Sequence, residues 1–141
     1  MQVAIDTMLQ AQMAAVFEGH GVVFAYLFGS QARGETGPLS DIDIGVYFGA
    51  AIASEERFDA HLAVLGELSD LFKTDAVDVV VLNDAPPLLA HRILKEGRLL
   101  FSADDKVRVE FETTAVLKYL DWKPYLEKYA RQVFGGAQPH G

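Results

Sequence analysis

Asp41 and Asp43 stand one residue apart at the end of the stretch FGSQARGETGPLSDIDI, residues 28–44. On a strand, two such residues project from one face with backbones about 6–7 Å apart. Two carboxylates held this close repel each other unless a cation lies between them. Hard divalent cations such as Mg²⁺ take carboxylate oxygens together with substrate phosphates, and a two-ion site sets its metals about 3.5–4 Å apart. Such a site calls for a third carboxylate from a neighbouring strand. Asp78, inside VDVVVL, is the candidate, because a charge among valines is costly without a partner. Asp75 falls on the other side of the same strand by parity and reads as a turn residue, although a one-residue change of register would exchange the two.

Gly29 and Ser30 lie ahead of this pair, directly after the apolar run VVFAYLF. A strand that breaks at Gly29 and turns into a short helix at Ser30 aims backbone N–H groups, a hydroxyl and the positive end of a helix at an anion. The parts together describe a pocket for a nucleoside triphosphate, with its phosphates on the Gly-Ser turn and Mg²⁺ between phosphates and carboxylates. Arg33 is a candidate contact to phosphate or acceptor, with a surface arginine as the plain alternative. Ser40 reads as a turn or cap residue.

The elements that must position these residues follow from periodicity. Residues 3–18 carry Ile5, Met8, Leu9, Met13, Val16 and Phe17 at helical spacing, and residues 22–28 read as a buried strand. Ser30 is expected to cap one helical turn over residues 31–33 that Gly34 ends. In DIDIGVYF (41–48), Ile42, Ile44 and Val46 face one side and the aspartates the other. Residues 55–73 read as a helix capped by Ser54, with Phe58, Leu62, Leu65, Leu68 and Phe72 on its apolar face. A strand is expected over 75–83 and a helix opening at Asp84 with Pro86 and Pro87, closed by Gly97. A short strand follows over 98–101. Residues 105–134 are helical with a kink or restart near Asp121, ahead of Pro124. The aromatics of that last segment suit either a core or a docking surface. These elements make an α/β (α+β) fold, a small mixed sheet with helices packed on it. The expected organisation is one domain over 1–134 with its helical segment from about 105, and a flexible tail over 135–141.

The ordered set Gly29-Ser30, ten residues, Asp41-x-Asp43 resembles the signature of the DNA polymerase β-like nucleotidyltransferases, and within them the minimal nucleotidyltransferase (MNT) group. The blocks DVVVLNDAPPLLAHRILKEGRLLF and YLDWKPYLEKYARQ are also similar to MNT antitoxins paired with HEPN-domain toxins, so the likeness spans about residues 20–134. The resemblance implies the nucleotidyltransferase fold, Gly29 and Ser30 on the triphosphate, Asp41 and Asp43 on the metals, and Asp78 completing the site and helping to deprotonate the acceptor. It further implies ATP as donor, a tyrosine of the HEPN toxin as acceptor, and pyrophosphate as leaving group. The alternatives are an antitoxin that masks its partner without chemistry and a transferase acting on a small-molecule hydroxyl. The HEPN nuclease motif places four to six residues between Arg and His; Arg57 and His61 are separated by three, so the chain resembles the antitoxin and not the toxin.

Bulk composition narrows the remainder. With 141 residues, half of them hydrophobic, the chain suits a single core. A formal net charge of −8 opposes binding to long nucleic acid, which needs clustered Lys and Arg. Absence of cysteine excludes a thiolate metal site and suits a reducing compartment. No signal-peptide pattern and no apolar run of membrane length is visible, so a cytoplasmic location is expected. His20, His61, His91 and His140 show no ligand spacing.

Overall fold

The computed structural model describes residues 6–29 and 41–133. In chain order the elements are α1 (Thr7–Gly19), β1 (Val22–Phe28), β2 (Ile42–Phe48), α2 (Arg57–Phe72), β3 (Val77–Val81), α3 (Pro87–Glu96), β4 (Arg98–Ser102) and α4 (Asp105–Val133). The strands form one mixed sheet in the order β3-β2-β1-β4. β1 runs antiparallel to both β2 and β4, while β2 and β3 are parallel. No helix among the described residues is long and apolar enough to cross a membrane.

Alternation along the strands divides the core in two. Ile42, Ile44, Val46, Val77 and Val79 point to the side where Met13 and Phe17 of α1 and Val64 and Leu68 of α2 are buried. Phe24 and Tyr26 point the other way, with Leu82, Ile93, Val107 and Phe111, beneath α3 and α4. Phe24 stacks on Tyr47 with ring centroids 4.8 Å apart. Gly45 lets the Leu82 side chain pack close on β2, since a Cβ there would stand 3.2 Å from Leu82 Cδ2.

Several element boundaries differ from the sequence expectations. The first helix starts at Thr7, where the Asp6 carboxylate accepts the Leu9 N–H at 2.8 Å. Ser54 does not cap α2; it lies in a 3₁₀ turn, Ser54–Glu56, that precedes it. Asp84 likewise belongs to a 3₁₀ turn, Leu82–Asp84, which shortens β3 to five residues and leaves Pro86 as the N-cap of α3. In both places a local i→i+3 turn takes the residue that a cap reading would claim. Met8, Phe58 and Leu62 were expected on core faces and are exposed. Of the face expected for α2, Leu68 is buried and Leu65 and Phe72 pack against the core, while Val64 takes the place that Phe58 and Leu62 leave, so the buried stripe is turned slightly from the one the apolar count selects. α4 continues through Pro124 without a restart at Asp121. Proline removes a single intrahelical donor, and the rest of the ladder carries the helix on.

Candidate functional site

β1 ends at Phe28, and Gly29 follows with φ of +74°. That left-handed backbone, which glycine adopts without strain, turns the chain away beside the Asp43 carboxylate. A Cβ at Gly29 would stand 2.3 Å from Asp43 Oδ2 and 3.2 Å from Asp43 Cγ. The Gly29 turn and the Asp43 carboxylate are therefore close neighbours, next to the antiparallel pair Phe28 and Asp43.

The third carboxylate arrives through the parallel pairing of β2 with β3. Asp43 is paired with Asp78, and Ile42 with Val77. Paired residues of adjacent strands point to one face, so Asp43 and Asp78 stand side by side on the face opposite α1 and α2. Asp41 immediately precedes β2 and is exposed; Asp43 is half-buried, and Asp78 is exposed. Asp75 lies in the turn ahead of β3. The premise that Asp78 is buried among valines is corrected: β3 is an edge strand, and its neighbours Val77 and Val79 point into the core on the other face. Ser30, Arg33 and Ser40, with the helical turn expected over 31–33, lie outside the described residues, as does His140.

Among the described residues no three acidic or histidine side chains are gathered closely enough to hold a metal ion by themselves. Asp43 and Asp78 offer only carboxylate oxygen, the donor type that suits a hard divalent cation whose remaining ligands come from phosphate and water. The described histidines have other partners. His20 bonds to Glu67, His61 Nδ1 lies 3.3 Å from the Phe58 carbonyl, and the His91 ring stacks on Tyr119 at a centroid distance of 3.6 Å.

A network that periodicity could not reveal fastens α4 over the site-bearing face. Tyr26 of β1 donates its hydroxyl to Glu112, whose two oxygens also accept from Arg108 Nη1 at 3.1 and 3.0 Å. Burial, reinforced by the Glu112 carboxylate, raises the Tyr26 hydroxyl pKa well above its ordinary value. These partners lie 86 residues apart, and their only sequence signal is the i,i+4 spacing of Arg108 and Glu112.

A cavity of about 410 Å³ lies between α3, α4 and the far end of β2, lined by Tyr47, Arg57, Asn83, Phe111 and Lys118 among others. Tyr47 is about 13 Å along the strand from Asp43, at about 3.3 Å per residue. Neither Asp43 nor Asp78 is among its lining residues.

A positive-φ glycine beside one of two paired carboxylates on a small mixed sheet is the arrangement expected of a nucleotidyltransferase. Residues 11–106 match the family model described as "Polymerase beta, Nucleotidyltransferase", and the chain belongs to that family. It is 27% identical over 107 residues to the protein adenylyltransferase MntA of Aphanizomenon flos-aquae, covering 69% of this chain and 68% of that protein. A Methanocaldococcus jannaschii protein, provisionally named a protein adenylyltransferase, is 42% identical over 78 residues, covering 55% of this chain and 78% of that one. Among solved structures, a chain of a toxin–antitoxin crystal structure with AMP-PNP superposes with a TM-score of 0.65 at 20% identity, over 91% of this chain and 97% of its own. The complex of tri-AMPylated Shewanella oneidensis HEPN toxin with MNT antitoxin also gives 0.65, at 18% identity, over 94% of this chain and 98% of the matched one. These two likenesses establish the fold.

Proposed function

We propose that the chain transfers AMP from ATP to a hydroxyl, a tyrosine hydroxyl first among candidates, of a HEPN-domain toxin and acts as its antitoxin. The observation that carries this reading is the pairing of Asp43 with Asp78 beside a positive-φ glycine turn that packs against the Asp43 carboxylate. The named adenylyltransferase relatives, and the neighbours solved as toxin–antitoxin complexes, supply the donor and the class of acceptor.

Gly29 and Ser30 hold the triphosphate through backbone N–H groups and the Ser30 hydroxyl, and Arg33 adds a charge-assisted contact. Asp41, Asp43 and Asp78 are the residues that would hold Mg²⁺, two ions in all. Bound there, the ions would supply Lewis-acid stabilisation of charge on the attacking and departing oxygens. Asp78 also takes the proton of the acceptor hydroxyl. The hydroxyl oxygen bonds to the α-phosphorus as the α–β bridge bond breaks, and pyrophosphate leaves in line. Positioning of acceptor and donor provides much of the acceleration, so docking of the partner governs specificity.

Purified chain, Mg²⁺, α-labelled ATP and the partner toxin should yield toxin carrying AMP on a hydroxyl residue, located by mass spectrometry. The Asp41→Asn/Asp43→Asn variant should bind the toxin without labelling it or relieving its toxicity. A variant that protects as well as the unaltered chain, with no label on the toxin, would establish masking instead.

A further inference from the structure

α4 begins where the family match ends, at residues 105 and 106. Its first half is fastened to the domain: Val107 and Phe111 pack on the core around Phe24, Ala115 is buried, and Tyr119 stacks on His91. Beyond Ala115 no residue of the helix is buried. Trp122 is 51% exposed, Tyr129 65% and Val133 51%. Residues 116–133 thus form a stretch of helix about 27 Å long, at about 1.5 Å per residue, whose large apolar side chains are uncovered.

Ala115, Tyr119, Trp122, Leu126, Tyr129 and Val133 follow one another at steps of four, three, four, three and four. This alternation is that of a coiled-coil seam, in which each side chain enters a hole formed by four residues of a facing helix. The occupant that such a seam fits is therefore another helix. Its charge follows from the positions that border the seam. Val116, Lys118, Lys123, Tyr125, Ala130 and Gln132 stand there, with two lysines and no acid among them. Asp121 and Glu127 fall outside these borders. Two copies of α4, laid side by side in either direction, would bring the bordering lysines to no carboxylate on the other copy's border. In parallel they would set Lys118 of one copy against Lys123 of the other. A facing helix bordered by Asp and Glu satisfies both lysines.

We infer that the second half of α4 is a docking arm for the partner toxin, and that it receives along its seam a helix of that protein whose own apolar stripe is bordered by acidic residues. The inference rests on the reading above for the partner and on no step of the transfer chemistry. Affinity comes from the aromatic seam, and the lysines select the partner and set its register.

Calorimetric titration of the full chain with the toxin, without ATP and from about 50 to 300 mM salt, tests it. Trp122→Ala/Tyr129→Ala should weaken binding on the order of 100-fold, because buried aromatic anchors carry most of the affinity of an interface. Lys118→Glu/Lys123→Glu should weaken it about tenfold or more and reverse its salt dependence: the unaltered chain binds less tightly as salt rises, the variant more tightly. All four positions are exposed, and circular dichroism checks that each variant stays folded. Variants that bind as tightly as the unaltered chain would overturn the inference, and so would a lysine reversal without effect on affinity or on its salt dependence. A chain that dimerises alone, with the aromatic variant monomeric in sedimentation, would give the seam to a second copy and overturn it equally. Transfer of label from α-labelled ATP, measured on the same preparations, keeps the two readings apart. Toxin that docks on the arm and takes no label would uphold this inference and remove the transfer reaction, whereas toxin labelled equally well by the variants at limiting concentration would do the reverse.

Discussion

Replacing Gly29 by alanine separates the cost of folding from the cost of chemistry. The new Cβ would lie 2.3 Å from Asp43 Oδ2, 3.2 Å from its Cγ and 3.5 Å from its Cβ, so the outer end of the Asp43 side chain has to move. A carboxylate can rotate, which makes this movement cheap for stability. The positive φ is the larger folding cost, because an L-residue held at φ of +74° is strained by roughly 1–2 kcal/mol. The expected stability loss is therefore about 1–2 kcal/mol, a few degrees in thermal midpoint for a domain of this size. Activity should fall much further. If Asp43 helps to orient the reacting phosphate, a displacement of about 1 Å costs on the order of 100-fold in rate. Urea unfolding and single-turnover transfer from labelled ATP measure the two quantities on one preparation. A Gly29→Ala variant that transfers within about threefold of the unaltered chain while losing 1–2 kcal/mol of stability would refute the assignment of Asp43 to the reaction centre.

Asp78→Asn should leave the urea midpoint unchanged or slightly raised, because it removes a charge that faces Asp43 from an exposed edge position, while transfer falls by about 100-fold or more. The raised pKa of Tyr26 gives stability a defined pH dependence. A hydroxyl whose proton is held more tightly in the folded state than in the unfolded one contributes fully below the unfolded value, near 10.0, and its contribution is lost as pH rises above that. Urea midpoints from pH 8 to 11 should decline at the alkaline end for the unaltered chain and decline less for Tyr26→Phe. Loss of the Tyr26–Glu112 bond should itself lower stability by about 1 kcal/mol at pH 8. His91→Ala should cost about 1 kcal/mol and increase amide exchange in α4 around Tyr119, since the stacked rings join α3 to α4 midway along that helix.

Local chemistry by itself determined much of this protein. β2 was legible because side chains alternate with period two, so Ile42, Ile44 and Val46 could be separated from Asp41 and Asp43 before any partner strand was known. Gly29 after a seven-residue apolar run marked the turn, and Gly97 marked the end of α3, because glycine and proline act within a few residues of themselves. Whatever depends on a second element was decided only in three dimensions. Parity could separate Asp78 from Asp75 but could not say which faces Asp43; the parallel register of β3 on β2 pairs Asp43 with Asp78. The exposure of Phe58 and Leu62 follows from how α2 rolls on the sheet, which the apolar spacing of one helix does not encode. The C-terminal aromatics divide in the same way: Phe111 and Tyr119 meet Phe24, Tyr47 and His91, while Trp122 and Tyr129 continue the identical pattern exposed. A helical repeat fixes which residues share a face, and only the position of the neighbouring elements determines where along the helix that face is covered.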